Sequence, residues 1–370
     1  MLRRFAVFLS VFQAILFLAH FLLFRTILAV WGPLAPPNLK TLVIVLAVLS
    51  ISFLGSALLA FQNASFVVRV MYVVGAVWLG TFNYLFIAAA AWWILHEIAL
   101  AGQLSVSGSL LGALLFGAAL LTSAYGVINA SWTRVKRIHV RLTDLPESWR
   151  GRTIALISDL HLGHVRNAGF LRRVVTRINR ERPDLVIIAG DLFDGTAIDP
   201  VRAAAPLSGL KTRFGTYFSE GNHEEFRDPR PYLEAISRSG VRILDQQKVE
   251  LDGLQLIGIA YRDATHTEHM RSVLASLAID RTRASILITH APDRPAVAAE
   301  AGVSLQVSGH THGGQFFPYT WIANRIYRQF SHGLSRLENL QVLTSYGAGT
   351  WGPPLRVGTE PEIILIQLSE

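Results

Sequence analysis

The chain has 370 residues, of which 51% are hydrophobic and only 16% are charged, and its formal net charge is +8 at pH 7. Its mean hydropathy is +0.37, and a charged fraction this far below about 25% disfavours an ordinary soluble protein. The absence of cysteine excludes disulfide bonds, thiolate zinc sites and cysteine nucleophiles. The positive charge suits nucleic acid or an anionic membrane surface, and the apolar composition favours the membrane.

The first third of the chain is strongly apolar, with only four charged residues between Phe5 and Ser131. A helix needs about 20 residues to cross a hydrocarbon core of roughly 30 Å. We therefore predict a four-helix transmembrane domain over residues 1–131. Its predicted spans are Phe5–Phe24, Thr41–Phe61, Val70–Leu95 and Ser109–Asn129. Gly108 and Gly112 form a lone GxxxG pair, which we interpret as sequence background.

The composition changes after Ser131. Residues 132–152 are basic at their start, which suits anionic headgroups, and we predict a juxtamembrane linker and a first strand there. From residue 153 to 370, short apolar runs alternate with amphipathic segments, and this alternation predicts an α/β layered domain. The predicted strands are Ile154–Ser158, Leu185–Ala189, Gly215–Ser219, Leu254–Ala260, Ile286–Thr289 and Leu305–Ser308, and the predicted helices are Ala168–Arg182, Arg230–Ser239 and Glu268–Leu277.

Most of these apolar runs are followed by polar residues of the same few types. Because the carboxyl ends of strands converge at one edge of an open α/β sheet, where such folds bind ligands, we expect these side chains to lie close together. In chain order they are Asp159, His161, Asp191, Asp194, Asn222, His223, Glu224, His290, His310 and His312.

Carboxylate, amide and imidazole donors in this number suit a pair of divalent ions. Two ions about 3.5 to 4 Å apart can clamp a phosphoryl group and lower the pKa of a bridging water, so that hydroxide forms near neutral pH. The residues therefore predict a dinuclear centre for phosphoryl chemistry. The choice among Mn, Fe and Zn stays open.

The order of the motifs carries a resemblance. They are Asp-x-His at 159–161, Gly-Asp-x-x-Asp at 190–194, Gly-Asn-His-Glu at 221–224, His290, and Gly-His-x-His at 309–312. With this series, residues 153–368 resemble the calcineurin-like metallophosphoesterase superfamily. The segments 313–315 and 347–356 resemble its membrane-associated bacterial subfamily. The resemblance implies an α/β metallophosphoesterase domain, built as a layered β-sheet sandwich flanked by helices, after the all-α transmembrane region.

The resemblance also implies a role for each residue. One ion would be held by Asp159, His161 and His312 and the other by Asn222, His290 and His310, with Asp191 bridging the two. His223 would face the leaving-group oxygen as a catalytic residue, oriented by Asp194 or Glu224. For Asp194, a role in forming the turn Phe-Asp-Gly is the open alternative. We place His164, His266, His269 and His332 outside the site.

The implied activity is that of a membrane-anchored metal-dependent phosphoric ester hydrolase. A bridging hydroxide would attack a phosphoester or pyrophosphate bond, and tethering to a bilayer favours a lipid or lipid-linked substrate. Alternatives are a phosphodiesterase acting on a soluble nucleotide or a phosphoprotein, and a non-catalytic membrane ligand sensor. We expect the lipid bilayer as partner and do not expect nucleic acid; protein partners and oligomeric state stay open. The aromatic stretch 316–330 suits either a lip for an acyl chain or loop packing onto the sheet.

The charges beside the spans predict the topology, because Lys and Arg concentrate on the cytoplasmic side. Arg3 and Arg4 precede the first span, Arg69 lies between the second and third, and four basic residues follow the fourth within 134–141. The expectation is a multi-pass protein of the cell membrane with a cytoplasmic catalytic domain. The rival interpretation takes Arg3-Arg4 as a twin-arginine export signal.

Overall fold

The computed structural model describes residues 2–370, with side chains from residue 6 onward. The side chains of Arg3 and Arg4, on which part of the topology argument rests, lie outside the described ones. The described chain divides into two compact units. The first consists of residues up to Ile128 together with Gly352–Leu355, and the second of Asn129–Trp351 together with Arg356–Glu370.

The first unit contains four helices, each long and apolar enough to cross a membrane. They are α1 (Leu2–Trp31), α2 (Pro36–Ala60), α3 (Phe66–Ala101) and α4 (Gly108–Ala130). The prediction of four helices is confirmed, and each helix is longer than its predicted span. Arg69 and Glu97, for example, lie inside α3 rather than beyond its ends. A charged side chain near the end of a span does not end the helix, because the backbone hydrogen bonds of a helix are internal to it.

Gly112 lies at a close approach between α4 and α1. A Cβ atom placed on Gly112 would be 2.3 Å from Cγ1 and 2.9 Å from Cγ2 of Val30, whereas one on Gly108 would make only an ordinary contact, 3.5 Å from Trp92. The interpretation of the GxxxG pair as background is therefore wrong for Gly112. Small residues at such crossings let helix backbones pack closely in a membrane.

The second unit contains, within the described residues, twelve strands in two six-stranded sheets. In chain order they are β1 (Arg134–Arg141), β2 (Thr153–Ile157), β3 (Leu185–Ala189), β4 (Thr216–Ser219), β5 (Arg242–Ile243), β6 (Gln247–Leu251), β7 (Leu254–Gly258), β8 (Ser285–Ile288), β9 (Leu305–Ser308), β10 (Gly333–Leu337), β11 (Leu340–Thr344) and β12 (Glu362–Ser369). The first sheet has the order β1-β12-β2-β3-β4-β5, and the second has the order β10-β11-β9-β8-β7-β6.

Short helices connect these strands. They are α5 (Ala168–Glu181), α6 (Pro200–Ala204), α7 (Arg230–Arg238), α8 (Tyr261–Ala264), α9 (Thr267–Ser276), α10 (Pro295–Ala301) and α11 (Tyr319–Tyr327). All six predicted strands and all three predicted helices of this unit are present. The largest difference at an end is in β7, which was expected to reach Ala260 and stops at Gly258.

The two sheets pack face to face, with a helical layer outside each. Ile187 of the first sheet and Ile286 of the second belong to the same buried cluster between the sheets. Phe170 of α5 packs on the outer face of the first sheet, and Met270 of α9 packs on the outer face of the second. In a sheet that is covered on both faces, the sequence of each strand is a nearly continuous run of apolar residues. The predicted fold class is confirmed: four apolar helices are followed in the sequence by a layered β-sheet sandwich flanked by helices.

We expect Gly112→Ala to destabilise the helical unit by about 1 to 3 kcal/mol, because the new methyl group would overlap the branched Val30 side chain. Gly117→Ala is the matched control, since a Cβ atom there meets nothing within 4 Å. Thermal unfolding in detergent measures both variants. Equal melting temperatures for the two variants would contradict the close α1–α4 contact.

Candidate metal centre

The predicted site residues all follow strands whose carboxyl ends lie at one edge of the sandwich. In the first sheet β2, β3 and β4 run parallel, and in the second β8 and β9 do so. The turns after β2, β3 and β4 carry Asp159, His161, Asp191, Asn222 and His223, and the turns after β8 and β9 carry His290, His310 and His312. Each sheet therefore contributes part of one polar cluster.

The first group of potential ligands consists of Asp159, His161 and His312. Asp159 and His161 are almost completely buried, and the His312 side chain is 12% exposed. The Nε2 atoms of His161 and His312 lie 3.0 Å apart. Oδ1 of Asp159 lies 3.4 Å from Nε2 of His312 and 4.0 Å from Nε2 of His161. Three donor atoms thus converge on one small space.

The second group consists of Asp191, His290 and His310. Oδ2 of Asp191 lies 3.1 Å from Nε2 of His290, and Nδ1 of His310 lies 3.1 Å from the same Nε2 atom. The same Asp191 oxygen is 3.7 Å from Nε2 of His161, in the first group. Asp191 therefore stands between the two groups, where one carboxylate can serve both.

Asn222 is the remaining predicted ligand. Its Oδ1 atom is buried and, among the residues that the structure describes, has no hydrogen-bond partner. A buried amide oxygen without a partner costs about 1 to 3 kcal/mol. Its chain neighbour Gly221 lies directly against Asp191, since a Cβ atom on Gly221 would be 2.2 Å from Oδ1 of Asp191. An oxygen left unpaired beside a cluster of carboxylate and imidazole donors fits a metal ligand.

Five of the predicted ligands have a backbone conformation that is rare for their residue types. Their φ angles are positive: 52° at Asp159, 47° at His161, 50° at Asp191, 69° at His310 and 48° at His312. For residues other than glycine this left-handed conformation costs roughly 1 to 2 kcal/mol each. Strained backbone of this kind concentrates at functional sites, where the surrounding structure holds it in place.

The glycines of the motifs have a steric reason. Gly190 has φ +77°, and a Cβ atom there would lie 2.5 Å from Nδ1 of His290. The His290 ring occupies that space because its Nδ1–H donates to the carbonyl oxygen of Ala189, 2.8 Å away. This hydrogen bond keeps the proton of the neutral ring on Nδ1, so that Nε2 of His290 offers its lone pair to a metal once the ring has lost its second proton.

The site combines neutral imidazole rings with a buried ion pair of Asp191 and His290. Burial lowers the pKa of His161 and His312, and lowers that of His310 to about 3, so these rings are neutral. Burial also disfavours charge on Asp191 and His290, but their mutual attraction outweighs it. It holds the pKa of Asp191 below its usual range and raises that of His290 to about 10. Asp191 is therefore an anion at neutral pH.

His223 lies beside the cluster with its ring fixed by Asp194. Its Nδ1 atom is 3.1 Å from the main-chain carbonyl oxygen of Asp194, and its Nε2 atom points to the centre, 3.9 Å from Oδ2 of Asp191. A carbonyl only accepts, so Nδ1 of His223 donates. The expected support from Asp194 therefore comes through its main chain, whereas its carboxylate oxygen Oδ1 accepts from the backbone N and Oγ1 of Thr196 and forms the turn.

Glu224 does not contact the His223 ring through any hydrogen bond that the described residues make. Its carboxylate accepts hydrogen bonds from the backbone amides of Asp191 (3.1 Å), Phe193 (3.0 Å) and Gly221 (2.9 Å). Glu224 therefore ties the turn after β4 to the turn after β3. This corrects the expectation that Glu224 orients His223, because the Glu224 carboxylate accepts its hydrogen bonds from backbone amides instead.

Arg356 contacts the centre although no motif assigns it a role. Its guanidinium is completely buried and donates to the carbonyl oxygens of His312 (3.2 Å), Tyr346 (2.7 Å) and Gly349 (2.7 Å). Its Nη2 atom also lies 3.1 Å from Nδ1 of His312. Burial lowers the pKa of Arg356 to about 10, so the group stays charged at neutral pH. Arg356 thus holds both the backbone and the ring of a potential ligand, which is visible only in three dimensions.

Other histidines lie outside the potential ligand groups of the described residues. His269 pairs with Asp263 at 3.0 Å, and His332 pairs with Glu362 at 3.1 Å. Nδ1 of His164 lies 3.1 Å from Oγ1 of Thr196. The centre consists of the residues that follow the strands.

Known proteins resemble this chain in the same region. Residues 152–314 match the family of calcineurin-like phosphoesterases. An uncharacterized metallophosphoesterase of Campylobacter jejuni is 29% identical over 328 residues, which cover 85% of this chain and 87% of the relative. A transmembrane protein with a metallophosphoesterase domain from Danio rerio is 33% identical over 264 residues, which cover 67% of this chain and 60% of that protein.

An uncharacterized metallophosphoesterase of Helicobacter pylori is 32% identical over 220 residues, which cover 58% of this chain and 59% of the relative. The matches to the Danio rerio and Helicobacter pylori proteins therefore span less than two thirds of those proteins. The similarity includes proteins whose names state both a membrane part and a metallophosphoesterase domain.

We expect Arg356→Met to weaken metal binding by about 10- to 100-fold, the usual effect of removing a group that orients a ligand. Titration calorimetry of the metal-stripped full chain with Mn²⁺ measures the loss. Arg356→Lys keeps the positive charge but lacks the planar guanidinium with its several N–H donors. Its affinity for Mn²⁺ should therefore lie between those of Arg356→Met and the wild type. Arg180→Met, an exposed arginine on α5, is the control. Unchanged affinity in a folded Arg356→Met protein would remove Arg356 from the centre.

Proposed function

We propose that this chain is a metal-dependent phosphoester hydrolase of a membrane, and that it cleaves a phosphoester or pyrophosphate bond of a lipid or lipid-linked substrate with two divalent ions. The match to the calcineurin-like phosphoesterases over residues 152–314 and the four membrane-capable helices that precede it in the sequence support this proposal. The observation that carries this proposal is Asp191. Its Oδ2 atom lies 3.1 Å from Nε2 of His290 and 3.7 Å from Nε2 of His161, so one carboxylate reaches both groups, as the shared ligand of a dinuclear centre would.

The donor set supports metal binding of this kind. Carboxylate, amide and imidazole donors without thiolates suit Mn, Fe or Zn, and the unpaired Oδ1 atom of Asn222 fits a ligand. Asp159, His161 and His312 would hold one ion, Asn222, His290 and His310 would hold the other, and Asp191 would contact both. When bound, the pair supplies Lewis acidity to the phosphoryl oxygens and lowers the pKa of a water nucleophile.

His223 is the residue that we expect to protonate the leaving oxygen. Its Nδ1–H donates to the Asp194 carbonyl whether the ring is neutral or protonated, so Nε2 can release a proton without any rotation of the ring. Burial lowers the pKa of His223, which makes a proton on Nε2 easier to give away. A positioned acid of this kind contributes typically about 10²- to 10⁴-fold to the rate.

The membrane helices favour a lipid substrate over a soluble nucleotide or a phosphoprotein. A site tethered to a bilayer meets lipid headgroups at a high effective concentration without new contacts. We also propose that the domain lies on the cytoplasmic side of the cell membrane. Four spans return the chain to its starting side. The basic residues of the two ends, together with Arg69 in the first turn of α3, outnumber Arg25 and Lys40 toward the opposite side.

We expect Asp191→Asn to abolish hydrolysis of an aryl phosphodiester and to lower the bound metal below about two equivalents per chain, since an amide cannot replace a shared carboxylate. Asp252→Asn is a matched control, because both aspartates have positive φ angles, 50° and 46°, which Asn tolerates. Metal analysis and turnover are measured on the same samples. Full metal content and activity in Asp191→Asn would refute the proposed centre.

The inactive Asp191→Asn protein also provides the control for finding the substrate. Wild type and Asp191→Asn are incubated with a cellular lipid extract and Mn²⁺, and mass spectrometry identifies the phosphorylated lipid that only the wild type consumes. Loss of aryl ester hydrolysis together with an unchanged lipid profile would reject the lipid substrate while leaving the reaction class intact.

His223→Ala should retain both metal ions and lose roughly 100-fold or more in turnover of an alkyl phosphodiester. The loss should shrink for a p-nitrophenyl ester, because that leaving group departs without a proton. His269→Ala, whose ring pairs with Asp263 away from the centre, is the control. Equal losses on both esters would mean that His223 does not protonate the leaving oxygen.

The proposed topology predicts the behaviour of C-terminal reporter fusions. Green fluorescent protein fused after Glu370 should fluoresce, and alkaline phosphatase fused at the same point should be inactive, since the latter requires export. The reverse pattern would place the catalytic domain outside the cytoplasm and would favour the twin-arginine interpretation of Arg3 and Arg4.

A further inference from the structure

Exposed apolar side chains of the second unit are concentrated around the metal centre. We call six of them the apolar rim; each is 41% to 66% exposed. They are Phe226, Phe317, Trp321, Ile322, Ile326 and Trp351. Among residues 134–370, the other large apolar side chains of this kind are Tyr319, which adjoins the rim, and Val201 and Leu334. Such clustering marks an interaction surface, whereas scattered exposed residues need no explanation.

The rim adjoins the potential ligands. The Phe226 ring lies 4.2 Å from the His223 ring, and the Trp351 ring lies 5.7 Å from it, between centroids. Two hydrogen bonds to the side-chain amide of Gln315 fix Trp351 there. The backbone amide of Trp351 donates to Oε1 of Gln315, and the Trp351 carbonyl oxygen accepts from Nε2 of Gln315. At the end of α11, the Tyr327 ring lies 6.2 Å from the His310 ring. Two residues of the apolar rim therefore lie against His223, and the end of α11 lies beside His310.

The segment that carries α11 has positive charges only. Residues 313–337 contain three arginines, Arg325, Arg328 and Arg336, and no carboxylate. Trp321, Ile322 and Ile326 share the exposed part of α11 with Arg325. Aromatic and aliphatic side chains beside arginines are typical of helices that lie in the headgroup layer of a bilayer.

The strand register brings the chain to this same edge. Arg134, the first residue of β1, pairs with Glu362 in a parallel ladder, and Ile364 of β12 pairs with Leu156 in an antiparallel one. Arg134 is thus at the carboxyl end of β2, where Asp159 follows. The last apolar helix, α4, ends at Ala130, so only three residues separate it from the edge that carries the rim.

We propose that the apolar rim, led by α11, lies in the headgroup layer of the bilayer that the helices cross, so that the metal centre opens toward lipid. A second copy of the chain fits less well, because a two-fold contact brings each patch against its own copy. It would place the arginines of residues 313–337 near one another, and that segment has no carboxylate to balance them. The inference deepens the proposed function and rests on it for the class of substrate.

The chain has no cysteine, so single cysteines can be labelled without removing native ones. Ile326→Cys and, as control, Lys211→Cys are each labelled with bimane in the full chain. Lys211 is exposed and precedes β4, at the opposite edge of the sheet. Each protein is placed as a single copy in nanodiscs of phosphatidylcholine with phosphatidylglycerol, with and without lipid that carries a nitroxide near the headgroup.

We expect the nitroxide lipid to quench the label at residue 326 at least about threefold more than the label at residue 211, since interfacial helices insert roughly 5 to 10 Å. Arg325→Glu should reduce this quenching in the anionic discs and less in pure phosphatidylcholine discs. The measurement needs neither metal nor substrate, so it is independent of whether the lipid assay succeeds.

Equal quenching at the two positions would overturn the proposal. A different result would also overturn it. If lipid does not quench the label at residue 326 in single-copy discs, but the label is protected from an aqueous quencher in vesicles that hold many copies, then a second chain covers the rim. Loss of lipid hydrolysis with the quenching retained would reject the proposed substrate and leave the docking surface in place.

Discussion

The carboxylate of Asp191 is the contact on which the centre depends. Oδ2 lies 3.1 Å from Nε2 of His290 and 3.7 Å from Nε2 of His161, while Oδ1 accepts from the backbone amide of His223 at 2.9 Å. One anion therefore fixes turns from both sheets. Its own amide donates to Glu224, so the turn that presents the anion is held from behind. Without that charge, the imidazoles of His161 and His290 would lose the one carboxylate oxygen that lies close to both.

A sandwich of two sheets is what makes such a strained arrangement possible. Five ligand positions with positive φ cost roughly 1 to 2 kcal/mol each, and a flexible loop would relax away from them. Here each turn starts from a strand whose apolar side chains are completely buried, such as Ile157 and Ile188. The close packing of such interiors resists displacement. The rigid sandwich therefore stabilises a geometry that the turns alone would not keep.

Much of the fold could be predicted because buried elements have a recognisable pattern of apolar residues. Strands buried on both faces appear as apolar runs, as in Leu185–Ala189, and the strand ends indicate where polar residues converge. Among the missed strands, β10 lacks such a run, since it has the sequence GLSRL and only intermediate or exposed residues. The strand β12 has one in EIILIQLS and was missed all the same. Within the centre, residue types were predictable, but the atoms in contact were not. Asp194 supports His223 through its carbonyl oxygen, and Arg356 reaches His312 from 44 positions along the chain.

The direction of β1 determines where the membrane-connected end of the chain joins the catalytic unit. An antiparallel pairing with β12 would start β1 beside Ser369 instead of Glu362. Eight residues of strand span about 26 Å at 3.3 Å per residue, so the chain would then join at the far edge of the sandwich, away from the ligands. Parallel pairing brings the junction to the edge that carries the ligands and the apolar rim. The direction of a single edge strand thus decides at which edge of the sheet the chain enters this unit.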